Sequence, residues 1–443
     1  MQTDPLSQAY EHFKSGRLGD AEERCREMLS ANPEFAEANH LLGAIRFQQG
    51  KPEESVVFLK RAAASPRATA ELHNNLGAVL VKLGQKDEAI AAFERALAMK
   101  PGYADALNNL GVLYLEKQKS DQAVNVFRKA VAIDPGLLYA HANLKSSYQG
   151  LVPSWHFAMM DDHKRNDAYE AAIRRAVPGK RVLDIGTGAG LLALMAARAG
   201  AAKVTTCEAV SLIAERAREI IATNGLSDRI NVVPMKSTAM SVPHIMSERA
   251  EVLVTETFAS GLITEGVLPT VEHAHEYLLT PDATIIPAAA CIMGYLVGGP
   301  AIEGMLFVDK IAGFNLSAFN DFAPSMLAAT LDNVPHRALS DDFEVARFDL
   351  REKNFPAGGV RLAVTATAHG VCAGLAQWIK LELDAQTSYE NRPSPQAPSN
   401  GHWTHVVHRF SRRVTVAPGD MVPILFRHDR SQIAIDLLDV PRD

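Results

Sequence analysis

The sequence predicts a multidomain protein in which an all-α repeat array precedes a doubly wound α/β domain, and an all-β, barrel-like domain follows. Three observations predict this order. The first third of the chain has a 34-residue period, strands and helices then alternate after a glycine-rich turn, and β-rich segments separated by turns follow residue 287. We therefore expect domains at 1–150, 151–287 and 288–443.

Several landmarks carry the 34-residue period. Leu-Gly pairs lie at 42–43, 76–77 and 110–111, small residues lie at 21, 55, 89 and 123, and prolines lie at 33, 101 and 135. A helix-turn-helix unit of this length is typical of tetratricopeptide repeats. We expect four units that begin near residues 2, 36, 70 and 104, followed by a helix over 138–149 that covers the end of the array.

A row of asparagines recurs inside the array. Asn75, Asn109 and Asn143 occupy the same position in successive first helices. Their amides could hydrogen-bond the backbone of an extended peptide, so that the groove of the array binds a peptide or protein. A solvated polar face is the alternative, and the sequence leaves both open.

Composition limits the classes of partner. A net charge of −6 gives no electrostatic reason for direct nucleic-acid binding, and no apolar run of ~18 residues predicts a membrane span. The N-terminus lacks the basic start and apolar core of a signal peptide. The four cysteines lie far apart in the sequence, which predicts free thiols in a reducing compartment. We therefore expect a cytoplasmic protein without membrane contact.

The first strand of the α/β region, at 181–185, leads into the motif VLDIGTGAG at 182–190. Glycines at such a turn let the backbone approach a ligand closely. A dinucleotide fingerprint requires Gly or Ala at position 191, where this chain has Leu191, whereas Asp184 and Gly190 fit an S-adenosylmethionine pattern better. Glu208, at the end of the second strand, can accept hydrogen bonds from both ribose hydroxyls. The sequence thus predicts a Rossmann-like cofactor domain.

Two glutamates, Glu256 and Glu265, lie nine positions apart in VTETFASGLITEG, just after the predicted strand at 251–255. Guanidinium almost never loses its charge, and two carboxylates can grip it and orient one nitrogen. An isolated acid in a loop is more often a surface charge. The position directly after a buried strand favours a site for a cationic substrate.

Residues 154–443 resemble the protein arginine N-methyltransferases. The resemblance runs through WHFAMMDDHKRNDAY, VLDIGTGAGLLALMAARAGA, ETFASGLITE, EGVLPTVEHAHEYL and the His-Trp pair at 402–403. The preceding array is similar to the tetratricopeptide-bearing branch, which usually carries two catalytic modules where this chain has one. The resemblance implies methyl transfer from S-adenosyl-L-methionine to a guanidino nitrogen of arginine in protein substrates, which the array recruits.

The resemblance also implies a set of site residues. Glu256 and Glu265 would hold the arginine, and His402, next to Trp403, would complete the active site; no metal is expected. Cofactor contacts would come from His156, Met159, Arg165, Asp184, Gly186, Gly188, Glu208, Ser237 and Thr238. Among these, Arg165 would pair with the cofactor's carboxylate, Asp184 would fix the glycine turn, and Met159 would lie near the reacting methyl group. Gly401 and Ala239 depart from the family pattern.

Three further expectations concern product, assembly and function. Asymmetrically dimethylating members usually carry a methionine two residues after the second glutamate, whereas here Gly266 and Val267 follow, which favours a symmetric dimethyl or monomethyl product. Family members generally dimerise through an inserted arm, for which residues 303–330 are the counterpart, so a homodimer is expected. A scaffold with a degenerate methyltransferase domain is the alternative function, and a small-molecule methyltransferase explains neither the glutamate pair nor the array.

Overall fold

The structure is a computed structural model, and it describes residues 4–152, 155–394 and 403–438. The chain divides into two compact units, Met1–Pro153 and Ser154–Asp443, and each is described by itself. Within the described residues, no helix combines the length and the apolar character needed to cross a bilayer.

The first unit is helical throughout its described residues, and its helices pair in sequence. They are α1 (Pro5–Lys14), α2 (Leu18–Ala31), α3 (Ala36–Gln48), α4 (Pro52–Ala63), α5 (Ala70–Lys82), α6 (Lys86–Met99), α7 (Ala104–Glu116), α8 (Ser120–Ile133) and α9 (Leu138–Leu151). The repeat period therefore corresponds to four helix pairs and a final single helix, as the sequence predicts.

The recurring Leu-Gly pair marks the closest approach of the two helices in a repeat. A Cβ added to Gly77 would lie 2.5 Å from the buried ring of Phe93, and one added to Gly111 would lie 2.5 Å from Phe127. Real Cβ atoms do not approach other heavy atoms this closely. Glycine recurs because the side chain of the second helix fills the space that a side chain of the first would need.

Hydrogen bonds join the first helices of successive repeats. In each, an asparagine Nδ2 contacts the preceding repeat at the position one residue earlier in the unit. The contacts are Asn75 to His40 Nε2 at 3.0 Å, Asn109 to Asn74 Oδ1 at 3.2 Å and Asn143 to Asn108 Oδ1 at 2.9 Å. We call this row the amide ladder. It gives these asparagines a role in holding neighbouring repeats, which neither of the two alternatives drawn from the sequence includes.

The second unit begins with two helices, α10 (Trp155–Met160) and α11 (His163–Ala176), where the sequence suggests one helical segment over 154–177. The interruption has a local cause. The Asp162 side chain accepts a 3.0 Å hydrogen bond from the Arg165 backbone N–H, which caps the start of α11. Arg165 therefore lies in the first turn of a new helix.

A five-stranded parallel sheet follows, in the order β3-β2-β1-β4-β5. Its strands and helices are β1 (Arg181–Ile185), α12 (Leu191–Arg198), β2 (Lys203–Cys207), α13 (Ser211–Thr223), β3 (Ile230–Val233), β4 (Ala250–Thr255), α14 (Val267–His273) and β5 (Leu279–Ile286). The strand order reverses between β1 and β4, where ligands of doubly wound sheets bind. The glycine turn follows β1 and the glutamate loop follows β4, so the topology places both at this point.

The rest of the unit is largely antiparallel β-structure, as expected. It comprises β6 (Ala289–Gly298), α15 (Pro300–Leu306), β7 (Lys310–Ile311), β8 (Phe314–Asn315), β9 (Met326–Ala329), β10 (Arg337–Ala338), β11 (Phe343–Asp349), β12 (Gly358–Thr365), β13 (Gly370–Glu382), β14 (Ser388–Glu390), β15 (His405–Val416), β16 (Met421–His428) and β17 (Ile433–Leu437). The main sheet runs β10-β6-β13-β15-β9, with β11 paired to β6 and β14 to β13, and β12-β16-β17 form a smaller sheet. The fold class predicted from the sequence is thereby confirmed.

Candidate active site

A cavity of about 460 Å³ opens beyond the carboxyl ends of β1 and β4. All but two of the predicted site residues line it: His156, Met159, Arg165, Gly186, Gly188, Glu208, Ser237, Thr238, Glu256 and Glu265. Of the other two, Asp184 is buried in β1, and His402 lies outside the described residues. The structure thus brings the residues together, while the role of each stays a prediction.

The glycine turn lies against the glutamate loop. Gly186 has a φ of +94°, and a Cβ added to it would lie 2.9 Å from Thr257 Cγ2 and 3.3 Å from the Glu256 carbonyl oxygen. Both the dihedral angle and the close contact exclude a larger side chain here. The exposed backbone of the turn forms one wall of the cavity, a cradle suited to a nucleoside cofactor.

Asp184 is connected to the turn through two threonines. Thr206 Oγ1 donates a 2.7 Å hydrogen bond to Asp184 Oδ2, and Thr187 Oγ1, in the turn itself, lies 2.6 Å from Thr206 Oγ1. Burial raises the pKa of the Asp184 carboxyl to about 7. These contacts provide a physical route by which Asp184 can fix the turn.

Glu208 is oriented by the backbone. The Gly188 N–H donates to Oε2 at 3.1 Å, and the Val210 N–H donates to Oε1 at 3.0 Å. A carboxylate has about four lone-pair sites, so each oxygen can still accept from another donor. This geometry fits the vicinal hydroxyls of a ribose, and together with the glycine cradle it shows that the residues present suit S-adenosylmethionine.

Arg165 and Glu256 form a buried ion pair. Arg165 Nη2 lies 2.8 Å from Glu256 Oε2, and the two side chains are only 3% and 7% exposed. Arg165 Nη1 donates to Asn166 Oδ1 at 2.9 Å, and the guanidinium lies 5.2 Å from the centre of the Tyr169 ring. The family resemblance implies that Arg165 pairs with the cofactor's carboxylate, and the sequence gives no sign that it also contacts a glutamate of the pair.

The two glutamates differ in their surroundings. Burial raises the pKa of the Glu256 carboxyl to about 7, the Glu265 charge adds to the rise, and the Arg165 guanidinium and the Phe258 N–H oppose it. Glu265 is much less enclosed, and partial burial also raises its pKa. One carboxylate is therefore fixed inside the protein and the other lies at the opening, an arrangement that can hold a cation between them.

The loop that carries both glutamates is tied to the antiparallel domain. Trp403 Nε1 donates to the Phe258 carbonyl oxygen at 2.8 Å, and Gln377 Nε2 donates to the Ser260 carbonyl oxygen at 2.8 Å. His408 Nε2 lies 2.7 Å from Gln377 Oε1. Because that oxygen can only accept, the His408 nitrogen carries the proton. Burial lowers the pKa of His408 to about 4, which keeps the ring neutral.

Gln377 and His408 support the glutamate loop, and neither is predicted as a site residue from the sequence. Gln377 is fully buried in β13, and His408 is 2% exposed in β15. The only available signal was a lone amide within the apolar stretch GVCAGLAQWI. A buried amide needs hydrogen-bond partners, but its sequence position does not tell which loop supplies them.

Comparison with family models separates the two parts of the chain. Two models described as "Tetratricopeptide repeat" match residues 34–102 and 74–137. A model described as "Ribosomal protein L11 methyltransferase (PrmA)" matches residues 168–276, the region of the parallel sheet. The repeat array and the methyltransferase domain are thus recognised independently.

Similar curated proteins are arginine methyltransferases. The chain is 40% identical over 276 residues to "Arginine N(omega)-methyltransferase" of Streptomyces achromogenes subsp. streptozoticus, a match that covers 62% of this chain and 75% of the relative. It is 32% identical over 280 residues to "Protein arginine N-methyltransferase 9" of Xenopus laevis, covering 56% of this chain and 34% of the relative. The chain therefore spans most of the bacterial relative but about a third of the animal one.

Solved structures show the same fold. A Trypanosoma brucei complex, "PRMT1 enzyme-prozyme heterotetrameric complex with AdoHcy", aligns with a TM-score of 0.56 at 22% identity, over 66% of this chain and 96% of that one. Protein arginine methyltransferase 10 of Arabidopsis thaliana aligns with a TM-score of 0.51 at 21% identity, over 61% of this chain and 86% of that one. With the glycine cradle, the glutamate loop and a relative matched over three quarters of its length, the chain belongs to the arginine N-methyltransferase family and uses S-adenosylmethionine.

Proposed function

We propose that this chain transfers the methyl group of S-adenosylmethionine to a guanidino nitrogen of arginine in a protein substrate. The observation that carries the proposal is the shared cavity, in which Glu256 and Glu265 lie with the glycine turn and Glu208. A cationic acceptor and a nucleoside donor can therefore occupy the same cavity.

The cofactor, when bound, supplies an activated methyl sulfonium, so in-line displacement depends mainly on positioning. Glu256 and Glu265 grip the guanidinium and orient one nitrogen. Arg165 and the Phe258 N–H hold the Glu256 carboxylate in place. Low surrounding dielectric strengthens these contacts. A carboxyl with a pKa near 7 can also hold the proton that the nitrogen loses when it gains the methyl group.

We propose a symmetric dimethyl or monomethyl product. Gly266 lines the cavity, and a Cβ added to it would meet only Pro269, at 4.0 Å. Val267 is 1% exposed and does not line the cavity. The support for a roomy acceptor site therefore comes from Gly266.

The nature of the acceptor needs a direct test, because the bacterial relative is named for arginine and not for protein arginine. The full chain and S-adenosylmethionine are incubated with an arginine-rich peptide in one reaction and with free L-arginine in another. The products of each reaction are identified by mass spectrometry. We expect methylated peptide, and no product from Glu256→Gln. Methylation of free arginine alone would replace the protein substrate by the amino acid. Absence of both methylation and calorimetric cofactor binding would favour the scaffold.

We propose that the chain forms a homodimer through residues 303–330. This segment exposes an unusual number of apolar side chains: Met305, Ile311, Phe314, Leu316, Phe319, Phe322 and Met326. Phe314, Phe319 and Phe322 are 71%, 66% and 80% exposed. An apolar surface of this kind typically marks a protein interface. We also propose a cytoplasmic location, which the four free, buried cysteines support.

A further inference from the structure

The repeat array contains its own cavity, of about 290 Å³. Successive first helices contribute to its wall, with α1 on one side, α3 in the middle and α5 on the other. We call it the array pocket, and its defining residues are Tyr10, Phe13, His40, Phe47, Glu71 and Asn75. It belongs entirely to the first unit and shares no residue with the methyltransferase site.

Aromatic and aliphatic groups dominate the array pocket. Tyr10 and Phe13 are partly buried, and Phe47 is 38% exposed. Leu41 and Val79, both nearly fully buried, form part of its lining. Ring faces that stay accessible in a concave site can bind an apolar chain or a flat cation.

Negative charge accompanies these rings. Glu71 lines the array pocket, and Glu37 and Asp105 hold the equivalent positions one repeat before and after it. Among the described residues, neither Glu37 nor Glu71 forms an ion pair. The charges of both lie close enough to the Tyr10 phenol to raise its pKa, although burial contributes most. Burial lowers the pKa of His40, and the nearby Glu71 charge opposes this shift in part.

The combination of accessible rings and unpaired carboxylates selects a particular side chain. A guanidinium is planar, stacks on aromatic faces and pairs with carboxylates in a fixed geometry, whereas a lysine ammonium is a compact, strongly hydrated charge. We propose that the array pocket binds an arginine side chain of the substrate peptide, separate from the arginine that is methylated. This inference rests on the proposed function, since an arginine-rich substrate offers several guanidinium groups.

The test uses the full chain and a fluorescently labelled, glycine-rich peptide that carries several arginines. Binding is measured by fluorescence anisotropy without cofactor. The double variant Phe47→Ala/Glu71→Gln should raise the Kd about tenfold, the scale of a lost stacked and paired cation. The matched control is Glu53→Gln, which makes the same charge change at an exposed site on α4. Glu71→Gln alone, which removes no apolar group, should show a smaller rise that shrinks with added salt.

Methylation kinetics supply the second readout. In the double variant, the KM for the multi-arginine peptide should rise by the same factor, while kcat and the KM for a peptide with one arginine stay unchanged. The inference is overturned if the Kd is unchanged, or if peptides with lysine or citrulline in place of arginine bind equally well. If the double variant binds the peptide more weakly but the parent chain methylates no peptide, the array-pocket inference stands and the proposed function is contradicted.

Discussion

At the scale of single residues, the two glutamates have unequal structural roles. Glu256 is fixed by a buried guanidinium, and Glu265 lies at the cavity opening. Removing one partner of a buried ion pair leaves the other charge uncompensated, whereas a charge near the surface contributes little to stability. Loss of activity alone would not distinguish the roles of Glu256 and Glu265, but the change in the free energy of unfolding would.

We expect Glu256→Gln to abolish methyl transfer and to lower the free energy of unfolding by about 3 kcal/mol, because Arg165 loses its buried partner. Glu265→Gln should also lose activity but change stability by no more than ~0.5 kcal/mol. Chemical denaturation with parallel methyl-incorporation assays measures both effects. Equal destabilisation by the two substitutions would show that the Arg165–Glu256 ion pair does not stabilise the fold.

The raised pKa of Glu256 predicts a pH dependence. The carboxylate form grips the guanidinium, and protonation below pH 7 removes its charge, so kcat/KM should fall as the pH drops through about 7. An ordinary glutamate would stay ionised down to about pH 4. A rate profile between pH 5.5 and 8.5 at constant ionic strength tests this. A kcat/KM that stays flat down to pH 5.5 would mean that Glu256 titrates normally.

At the scale of elements, the regular parts of the fold could be predicted closely. The predicted strands at 181–185 and 251–255 agree with β1 and β4 to within one residue, because a short buried strand bounded by turn signals has few alternatives. The break between α10 and α11 was not predicted, since it depends on the capping bond from Asp162. Gln377 and His408, which support the glutamate loop, were not predicted for a related reason. Their hydrogen-bond partners are distant in sequence.

The repeat glycines give a direct test of helix packing. Gly77→Ala should destabilise the array by about 1–3 kcal/mol, because the new methyl group would overlap the Phe93 ring. A smaller side chain in Phe93→Leu should recover part of this loss in the double variant. Gly102→Ala, where a Cβ meets nothing within 4 Å, is the control and should be nearly neutral. Thermal unfolding followed by circular dichroism measures all four proteins.

The hydrogen bond from Gln377 to the loop that carries the two glutamates can be tested by the substitution Gln377→Leu. This change leaves the Ser260 carbonyl without its donor and His408 without its acceptor, at a cost of about 1–3 kcal/mol. We expect a lower kcat with an unchanged Kd for S-adenosylhomocysteine, since the glycine turn is untouched. Gln386→Leu, at an exposed position, is the control. An unaltered kcat in Gln377→Leu would exclude a positioning role.

At the scale of the whole molecule, assembly and recognition depend on surfaces that sequence patterns describe poorly. The exposure of Phe319 and Phe322 and the array pocket became visible only in three dimensions. The sequence could predict a peptide-binding groove, but it placed the binding chemistry on asparagines that contact one another's repeats. Periodicity identifies equivalent positions and does not say which of them remain accessible.

We expect Phe319→Asp/Phe322→Asp to yield a monomer, because two charges in an apolar contact oppose association. Mass photometry or sedimentation at micromolar concentration would measure the change against a dimeric parent chain. Because both side chains are exposed in the monomer, the two substitutions should not change its unfolding temperature. A parent chain that is already monomeric would contradict the proposed homodimer.

The amide ladder has a consequence for how the array can evolve or be engineered. Each rung needs a donor in one repeat and an acceptor in the repeat before it, so a unit carries half of two separate contacts. In a linear array, stability is the sum of each unit's own folding energy and the coupling to its neighbours. Deleting an internal repeat removes one rung but joins compatible halves again. Inserting a foreign repeat without the asparagine would instead leave one junction without a rung and weaken the coupling there by about 1 kcal/mol.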